Sequence, residues 1–341
     1  MDPTPVLHHY PALVDLPVSP ITAGLINDTF ALGDTHILQR LHPIFAPEVN
    51  LDIEALTAVL SEQGVPVPRL VRTAQDKLWV TLETPAPAAG TWRAMTRLPG
   101  QTHHRATGPE QIRAAAQMLG RFHGALLGTS HRFNFARPGA HDTDKHMATL
   151  AKAVAAHPDH RLHAQIADMS RELQARWNAW GTIPSLPMRI GHGDGKLSNF
   201  LFDDAQRTVT GVIDLDTMAW MGVDIDLGDA LRSWCNPWDE NHPTPHFDKA
   251  LFAAAVEGHL DASSSWITAQ ERRAIAPAVE RICLELSARF AADTLNDAYF
   301  GWDPQIAPSR PDHNLLRARG QLALARSVAE QRADLMDIAC G

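Results

Sequence analysis

The chain carries only five lysines among its 30 Lys and Arg residues, three cysteines and two tyrosines, and each scarcity narrows what it does. No basic block occurs, and 39 acids against 30 Lys and Arg leave a net charge of −9. That balance repels nucleic-acid backbones and anionic lipid surfaces, so neither is expected as a partner. Cys235, Cys283 and Cys340 show no CxxC or metal-ligand spacing and read as reduced thiols of a cytosolic protein. No stretch nears the roughly 18–20 apolar residues that span a bilayer. The first twenty residues contain five prolines and no basic-then-apolar leader pattern. A cytoplasmic location is therefore expected.

What is present suits a chain of 341 residues with a large core and about two domains. Ile21–Leu25, Asp28–Leu32 and Thr35–Leu41 read as strands separated by Asn27-Asp28 and Gly33-Asp34. A helix over Pro47–Gln63 follows, striped by Leu51, Leu56, Val59 and Leu60 and stopped by Gly64, Pro66 and Pro68. Arg69–Thr73, Leu78–Leu82 and Trp92–Leu98 supply further strands. Leu98-Pro-Gly100-Gln punctuates the chain, dividing it into residues 1–99 and 100–341. Beyond Pro109 the pattern turns helical, with Ile112, Ala115, Met118, Leu119, Phe122 and His123 on one face. Met147–Ala155, His163–Trp180, Leu251–His259, Ala269–Ala292 and Leu315–Leu335 continue it. An α+β fold follows, with a small sheet lobe ahead of a larger helical one. That is the plan of a kinase-like cleft enzyme, although composition alone also fits unrelated α+β folds.

One segment carries the chemistry. In His192-Gly-Asp194-Gly-Lys196-Leu-Ser-Asn199, an acid precedes an amide by five residues, and Asp214 lies fifteen beyond Asn199 at the end of an apolar run. Phosphoryl transfer needs this set: one acid to take the proton of an attacking hydroxyl, and an amide with a second acid to hold Mg²⁺ against nucleotide phosphates. Asp194 fills the first role, and Asn199 and Asp214 the second. Phe200–Asp214 reads as a strand, polar turn and strand that folds Asp214 back beside Asn199. Lys196 is placed to neutralise a transferring phosphoryl group. His192 reads as a structural residue that holds the loop through its ring.

A nucleotide cleft also needs a cover over the phosphates and a cation on the third strand. Thr22-Ala-Gly24-Leu-Ile-Asn27-Asp28-Thr29 is the candidate cover, with Gly24 and Asn27 at the nucleotide, although an ordinary turn looks the same. The third strand has no Lys, so Arg40 is the expected phosphate contact, held by Glu54 of the following helix. Asp216, two residues past Asp214, is expected to face the same side and to complete the metal shell or meet a substrate hydroxyl. Asp226 reads as a helix N-cap. Asp229 and Arg232, three apart on that helix, either pair with each other or line the acceptor pocket.

These stretches resemble the aminoglycoside phosphotransferase and choline kinase superfamily. The likeness lies in Glu54 ahead of Pro66-Val-Pro68, Arg121-Phe-His123, His192-Gly-Asp194 with Asn199, Ile213-Asp214, and Asp226-Leu-Gly-Asp229. Within it, Gly24-Leu-Ile-Asn27-Asp28-Thr29-Phe, Leu38-Gln-Arg40, Ile213-Asp-Leu-Asp216-Thr, Gly228-Asp-Ala-Leu-Arg232 and Asn314-Leu-Leu-Arg317-Ala-Arg319 are similar to the N-acetylhexosamine 1-kinase branch. The loop departs from that branch in having glycine on both sides of Asp194, which loosens the backbone.

The resemblance implies a protein-kinase-like two-lobed fold and transfer from ATP, with Mg²⁺, to the anomeric hydroxyl of an N-acetylhexosamine. Asp194, Asp216, Asp229, Arg232 and Arg317 would meet the acceptor. Other acceptors stay open: choline or ethanolamine in a cage from Trp220, Trp234, Trp238 and Trp302, homoserine, or an aminoglycoside on the acids at 224–229. A nucleotide-binding protein without turnover is the non-enzymatic rival.

Overall fold

A computed structural model describes residues 3–21, 27–83 and 88–341. It begins with a short helix, α1 (Thr4–Leu7), followed by β1 (Val18–Ile21), β2 (Asp28–Leu32), β3 (His36–Arg40), α2 (Val49–Glu62), β4 (Leu70–Val71), β5 (Val80–Leu82) and β6 (Gly90–Thr96). The strands form one antiparallel sheet in the order β1-β2-β3-β6-β4, with β5 also on β6. Side chains alternate across such a sheet. Leu38, Trp92 and Ala94 therefore point to one face, covered by Val6, Leu7, Tyr10 and Leu13. Gln39 and Arg93, paired across β3 and β6, point to the other, where Arg93 reaches Asn50 of α2 at 3.3 Å. The proline-rich start gave no periodic signal, so this N-terminal cover was not legible in the sequence.

The rest is mainly helical: α3 (Pro109–Ala125), α4 (Thr143–Ala156), α5 (His163–Trp180), α6 (Val223–Trp234), α7 (Lys249–Ser263), α8 (Ala269–Asn296), α9 (Arg310–Glu330) and α10 (Arg332–Cys340). Thr268 and Glu271 form a capping box that starts the 28-residue α8. This helix is the spine, packed against α4, α5, α6, α9 and α10. The helix expected over Leu315–Leu335 breaks at Gln331 into α9 and α10.

Between α5 and α6 lie two small antiparallel pairs. The hairpin of β8 (Phe200–Phe202) and β9 (Val209–Val212) matches the expected strand-turn-strand. The other pair, β7 (Met188–Gly191) with β10 (Ala219–Gly222), joins runs of four residues, too short to show a period. Backbone bonds tie the sheet part to the hairpin: Gln101 exchanges two with Phe202, each 2.9 Å, and Val212 donates to Pro66 at 2.9 Å. Among the described residues no helix is long and apolar enough to cross a membrane.

Candidate active site

The pair β7–β10 sets His192 beside the start of α6. There the buried carboxylate of Asp226 accepts the backbone N–H groups of His192 and Gly193 at 2.8 and 2.7 Å, and Nε2 of His123 at 2.8 Å. Burial alone would raise this carboxyl. The hydrogen bonds from His123 and from the Gly193 N–H outweigh it and hold Asp226 well below the usual carboxylate range. Asp226 is not the expected N-cap, which is Gly222; it spends its hydrogen bonds on the loop that carries Asp194. His192 fixes the same loop from inside. Its Nε2–H donates to the carbonyl of Ile213 at 2.9 Å, leaving Nδ1 to accept the Asp194 amide at 3.3 Å.

The glycines flanking Asp194 permit close packing rather than looseness. Gly193 has φ +77°, and a Cβ there would stand 2.3 Å from the Thr217 carbonyl oxygen. A Cβ on Gly195 would lie 3.1 Å from that of Ala230, on α6.

Asp194, Lys196 and Asn199 are brought together. Lys196 Nζ lies 2.7 Å from Asp194 Oδ2, and Asn199 Nδ2 donates to the same oxygen at 3.1 Å and to the Asp194 carbonyl at 2.7 Å. Burial presses the Asp194 carboxyl upward, but the charge and hydrogen bond of Lys196 and the charge of Arg232 more than reverse this and leave it lowered. Asp214 follows β9 in a left-handed conformation (φ 63°, ψ 56°), rare outside glycine and Asn/Asp and frequent at functional positions. Its edge opens to solvent, yet crowding protein and the neighbouring Asp194 and Asp216 raise its carboxyl despite the opposing charge of Lys196. With Asn199 Nδ2 spent on Asp194, the amide oxygen and the Asp214 carboxylate remain. Both are hard oxygen donors of the kind Mg²⁺ takes.

Asp216 departs from the expectation. Residues Leu215–Thr217 form a 3₁₀ turn rather than a strand, which rotates Asp216 away from Asp214 and into the interlobe contact. Its side chain is fully buried and its oxygens are taken: Arg93 of β6 binds both, at 2.5 and 2.8 Å, and Asn27 Nδ2 donates at 3.0 Å. Gln39 Oε1 accepts Arg93 at 2.8 and 3.1 Å. Asp216 thus clamps sheet to helices rather than offering itself to an acceptor. Asn27 is likewise engaged, its Oδ1 accepting the His42 amide at 2.9 Å. Gly24 lies outside the described residues.

The Arg40–Glu54 pair does not form. Arg40 follows the even-numbered face of β3, opposite Gln39 and Arg93, and binds Asp28 at 2.6 and 2.8 Å. Glu54 binds Arg72 at 3.1 Å and Arg69 at 3.8 Å. Strand alternation decides this, because consecutive residues of β3 point to opposite faces. The cation on the face toward Asp216 is Arg93. The sequence hid it in a strand with no acid nearby in the chain.

On the far side, Arg232 Nε binds Asp229 at 2.9 Å, so the i, i+3 pairing is the one formed. Glu240 stands 3.5 Å from Arg232. Burial works against the Arg232 charge, but Asp229, Glu240 and Asp194 hold it above its ordinary value. Arg317 lies deeper, its guanidinium 5.0 Å from the Phe290 ring, donating to the Gly301 carbonyl at 2.5 Å. Burial lowers Arg317 in spite of Glu240 and Asp293.

A sheet part joined to a helical part around this loop defines a phosphotransferase with a protein-kinase-like architecture. Residues 17–265 match the phosphotransferase enzyme family, APH, and the chain belongs to it. Its fold is similar to that of amicoumacin kinase hAmiN, solved with AMP-PNP, Ca²⁺ and Ami, at 15% identity and TM-score 0.63 over 97% of this chain and 94% of that one. A microcompartment-associated aminopropanol kinase matches at 17% identity and TM-score 0.63, covering 97% of both chains. A choline/ethanolamine kinase family protein from Mesorhizobium loti matches at 18% identity and TM-score 0.54, covering 95% of this chain and 92% of that one.

Proposed function

We propose that the protein is a small-molecule kinase that moves the γ-phosphoryl group of ATP to a hydroxyl of a neutral sugar, the anomeric hydroxyl of an N-acetylhexosamine foremost. Family membership and the Asp194–Asn199–Asp214 cluster support the reaction. The division at 99/100 then separates a nucleotide-side lobe from an acceptor-side lobe. Asp194 accepts the hydroxyl proton and orients the nucleophile, and Lys196 stabilises charge on the transferring group. Asn199 Oδ1 and the Asp214 carboxylate hold the divalent cation, which supplies charge neutralisation at the phosphates.

The observation that carries the choice of acceptor is the pairing of the acids. Asp229 and Glu240 share Arg232, Asp216 is taken by Arg93, and Asp226 is occupied by the loop. Asp224 is buried, so among the described residues the acids at 224–229 present no open acidic wall to draw in a polycation such as an aminoglycoside. Nor are any two of the tryptophans named for a choline cage in ring contact, and Trp302 donates to the Ala307 carbonyl at 2.8 Å. Trp234 is fully buried against Phe200 at 5.4 Å, Trp238 stacks on His242 at 4.5 Å, and Trp220 donates to the His131 carbonyl at 2.9 Å. Paired polar groups such as Arg232 and Glu240 suit directional bonds to hydroxyls, and they penalise analogues that lack them.

A panel with ATP·Mg²⁺ and hexosamines, choline, ethanolamine, homoserine and aminoglycosides, read by ADP release, tests this. A hexosamine product should show ³¹P–¹H coupling to the anomeric proton. Phosphorylation of a primary hydroxyl, or turnover of choline with none of any hexose, refutes the sugar assignment.

A further inference from the structure

The segment between α3 and α4 runs like a strap from one part of the molecule to the other. At one end, Asp52 of α2 accepts His131 Nε2 at 2.8 Å and the backbone N–H groups of Asn134 and Phe135 at 2.9 and 3.0 Å. In the middle, Arg137 donates to the Tyr299 hydroxyl at 2.9 Å. At the other end, His141 is fixed twice by α8. Arg281 donates to its carbonyl at 2.9 Å, and its Nδ1 lies 3.2 Å from Oε1 of Glu285. The second Glu285 oxygen takes Thr143 Oγ1 at 3.0 Å, which in turn accepts Arg281 Nε at 3.1 Å.

Glu285 is fully buried and Arg281 nearly so, an expensive arrangement unless both are satisfied, as they are here. What it yields is an imidazole of set orientation and fixed tautomer. Glu285 is a carboxylate whose group is held below its usual range by His141 in spite of burial, so it accepts and Nδ1 carries the proton. Among the described residues Nε2 of His141 has no hydrogen-bond partner, and the side chain keeps 20% of its exposure. The charged and titratable groups facing it are Arg281, Glu285 and Arg289 on α8, Asp229 on α6 and His146 on α4. Asp229 is the partner of Arg232 and acts electrostatically on both Lys196 and His141.

We propose that His141 is an acceptor-recognition residue, held through Nδ1 by Glu285 so that its Nε2 meets an oxygen of the acceptor bound beside Asp229. It rests on the reading of the site as a kinase whose acceptor lies between Asp194 and the Asp229–Arg232 pair. As an imidazolium, His141 donates from Nε2; once deprotonated, with Nδ1–H still on Glu285, Nε2 is a lone pair and the bond to a carbonyl oxygen of the acceptor, such as that of an acetamido group, is lost. Burial pulls the imidazole down, but the bond and charge of Glu285 and the charge of Asp229 leave it raised, so the donor form persists to higher pH than for a free histidine. The Michaelis constant for the acceptor should therefore rise as pH climbs through the raised value.

Kinetics of the full-length protein with the acceptor that the panel identifies test this. His141→Ala should raise the acceptor KM about 10- to 100-fold, the range expected for one lost directional bond. Its kcat and its KM for ATP should stay within about threefold of wild type, since those constants do not depend on this bond. His141→Gln, whose amide N–H sits near the place of Nε2 and does not titrate, should recover most of the acceptor affinity and flatten the pH dependence of acceptor KM. An unchanged acceptor KM in His141→Ala, an equal rise in KM for ATP, or a wild-type pH profile in His141→Gln overturns the proposal. If the alanine variant fails to fold, the glutamine profile decides. Absence of turnover with every acceptor would sink the kinase reading itself, whereas turnover with acceptor KM indifferent to residue 141 sinks only this inference.

Discussion

Arg93 and Asp216 form a two-pronged ion pair at 2.5 and 2.8 Å, with side chains 2% and 0% exposed, across the junction of sheet and helices. Asp216 sits two residues past Asp214, so the pair couples the position of the sheet to the turn that carries Asp214. Removing one partner leaves the other charge buried without compensation. Arg93→Ala or Asp216→Ala is expected to cost about 3–5 kcal/mol. Replacing both by apolar residues of similar volume should cost much less. Urea unfolding of the two single variants and the double variant checks this, and equal losses in all three would contradict it.

Asp194→Ala and Asp214→Ala should separate chemistry from binding. The first is expected to lower kcat by about 10²–10⁴-fold, the range of a positioned base, with ATP·Mg²⁺ affinity within a few-fold. The second should weaken ATP·Mg²⁺ binding as well, because it removes one of the two oxygen donors proposed for the cation. Isothermal titration with a non-hydrolysable nucleotide alongside steady-state rates distinguishes them. Retention of more than a few per cent of turnover in Asp194→Ala would show that another group takes the proton.

Glu54 binds Arg72 and Arg69 instead of a phosphate-contacting cation. Glu54→Gln should therefore leave KM for ATP within about twofold of wild type and change stability by less than about 1 kcal/mol, as for other partly exposed pairs. Gln39→Ala, which loosens the Arg93 fork, should raise KM for ATP more than Glu54→Gln does. The reverse order would restore Glu54 to the nucleotide site.

His259 is buried between His123 and Ser263, with Nε2 3.3 Å from His123 Nδ1 and Nδ1 3.0 Å from the Ser263 hydroxyl. Burial, reinforced by His123, lowers its pKa to about 3. An unfolded chain takes up this proton near pH 6.5 while the folded one refuses it. The stability contributed is thus full above about pH 6.5 and is lost as pH falls toward 3, at up to about 1.4 kcal/mol per pH unit. His259→Asn should flatten the fall in Tm between pH 6.5 and 4.5 relative to wild type. Parallel curves for the two proteins would refute the assignment.

Much of this molecule was present in local pattern. The Asp194–Asn199–Asp214 spacing, the β8–β9 hairpin and the helices from Pro109 onward follow from periodicity and turn residues, which act over a few residues and survive whatever the chain packs against. The sequence also carried the superfamily likeness through the same segments.

Tertiary structure decided what depends on facing and on distant partners. Strand alternation turned Arg40 outward and Arg93 inward, and a 3₁₀ turn carried Asp216 away from Asp214 to the Arg93 clamp. Packing of α6 against the loop made Asp226 an anchor for His192 and Gly193, a partnership 33 and 34 residues long in sequence. His141 met Glu285 across 144 residues. A single sequence displays which residues can ionise or donate, but the identity of the partner is set by the face a backbone presents and by which helix fills the opposite side.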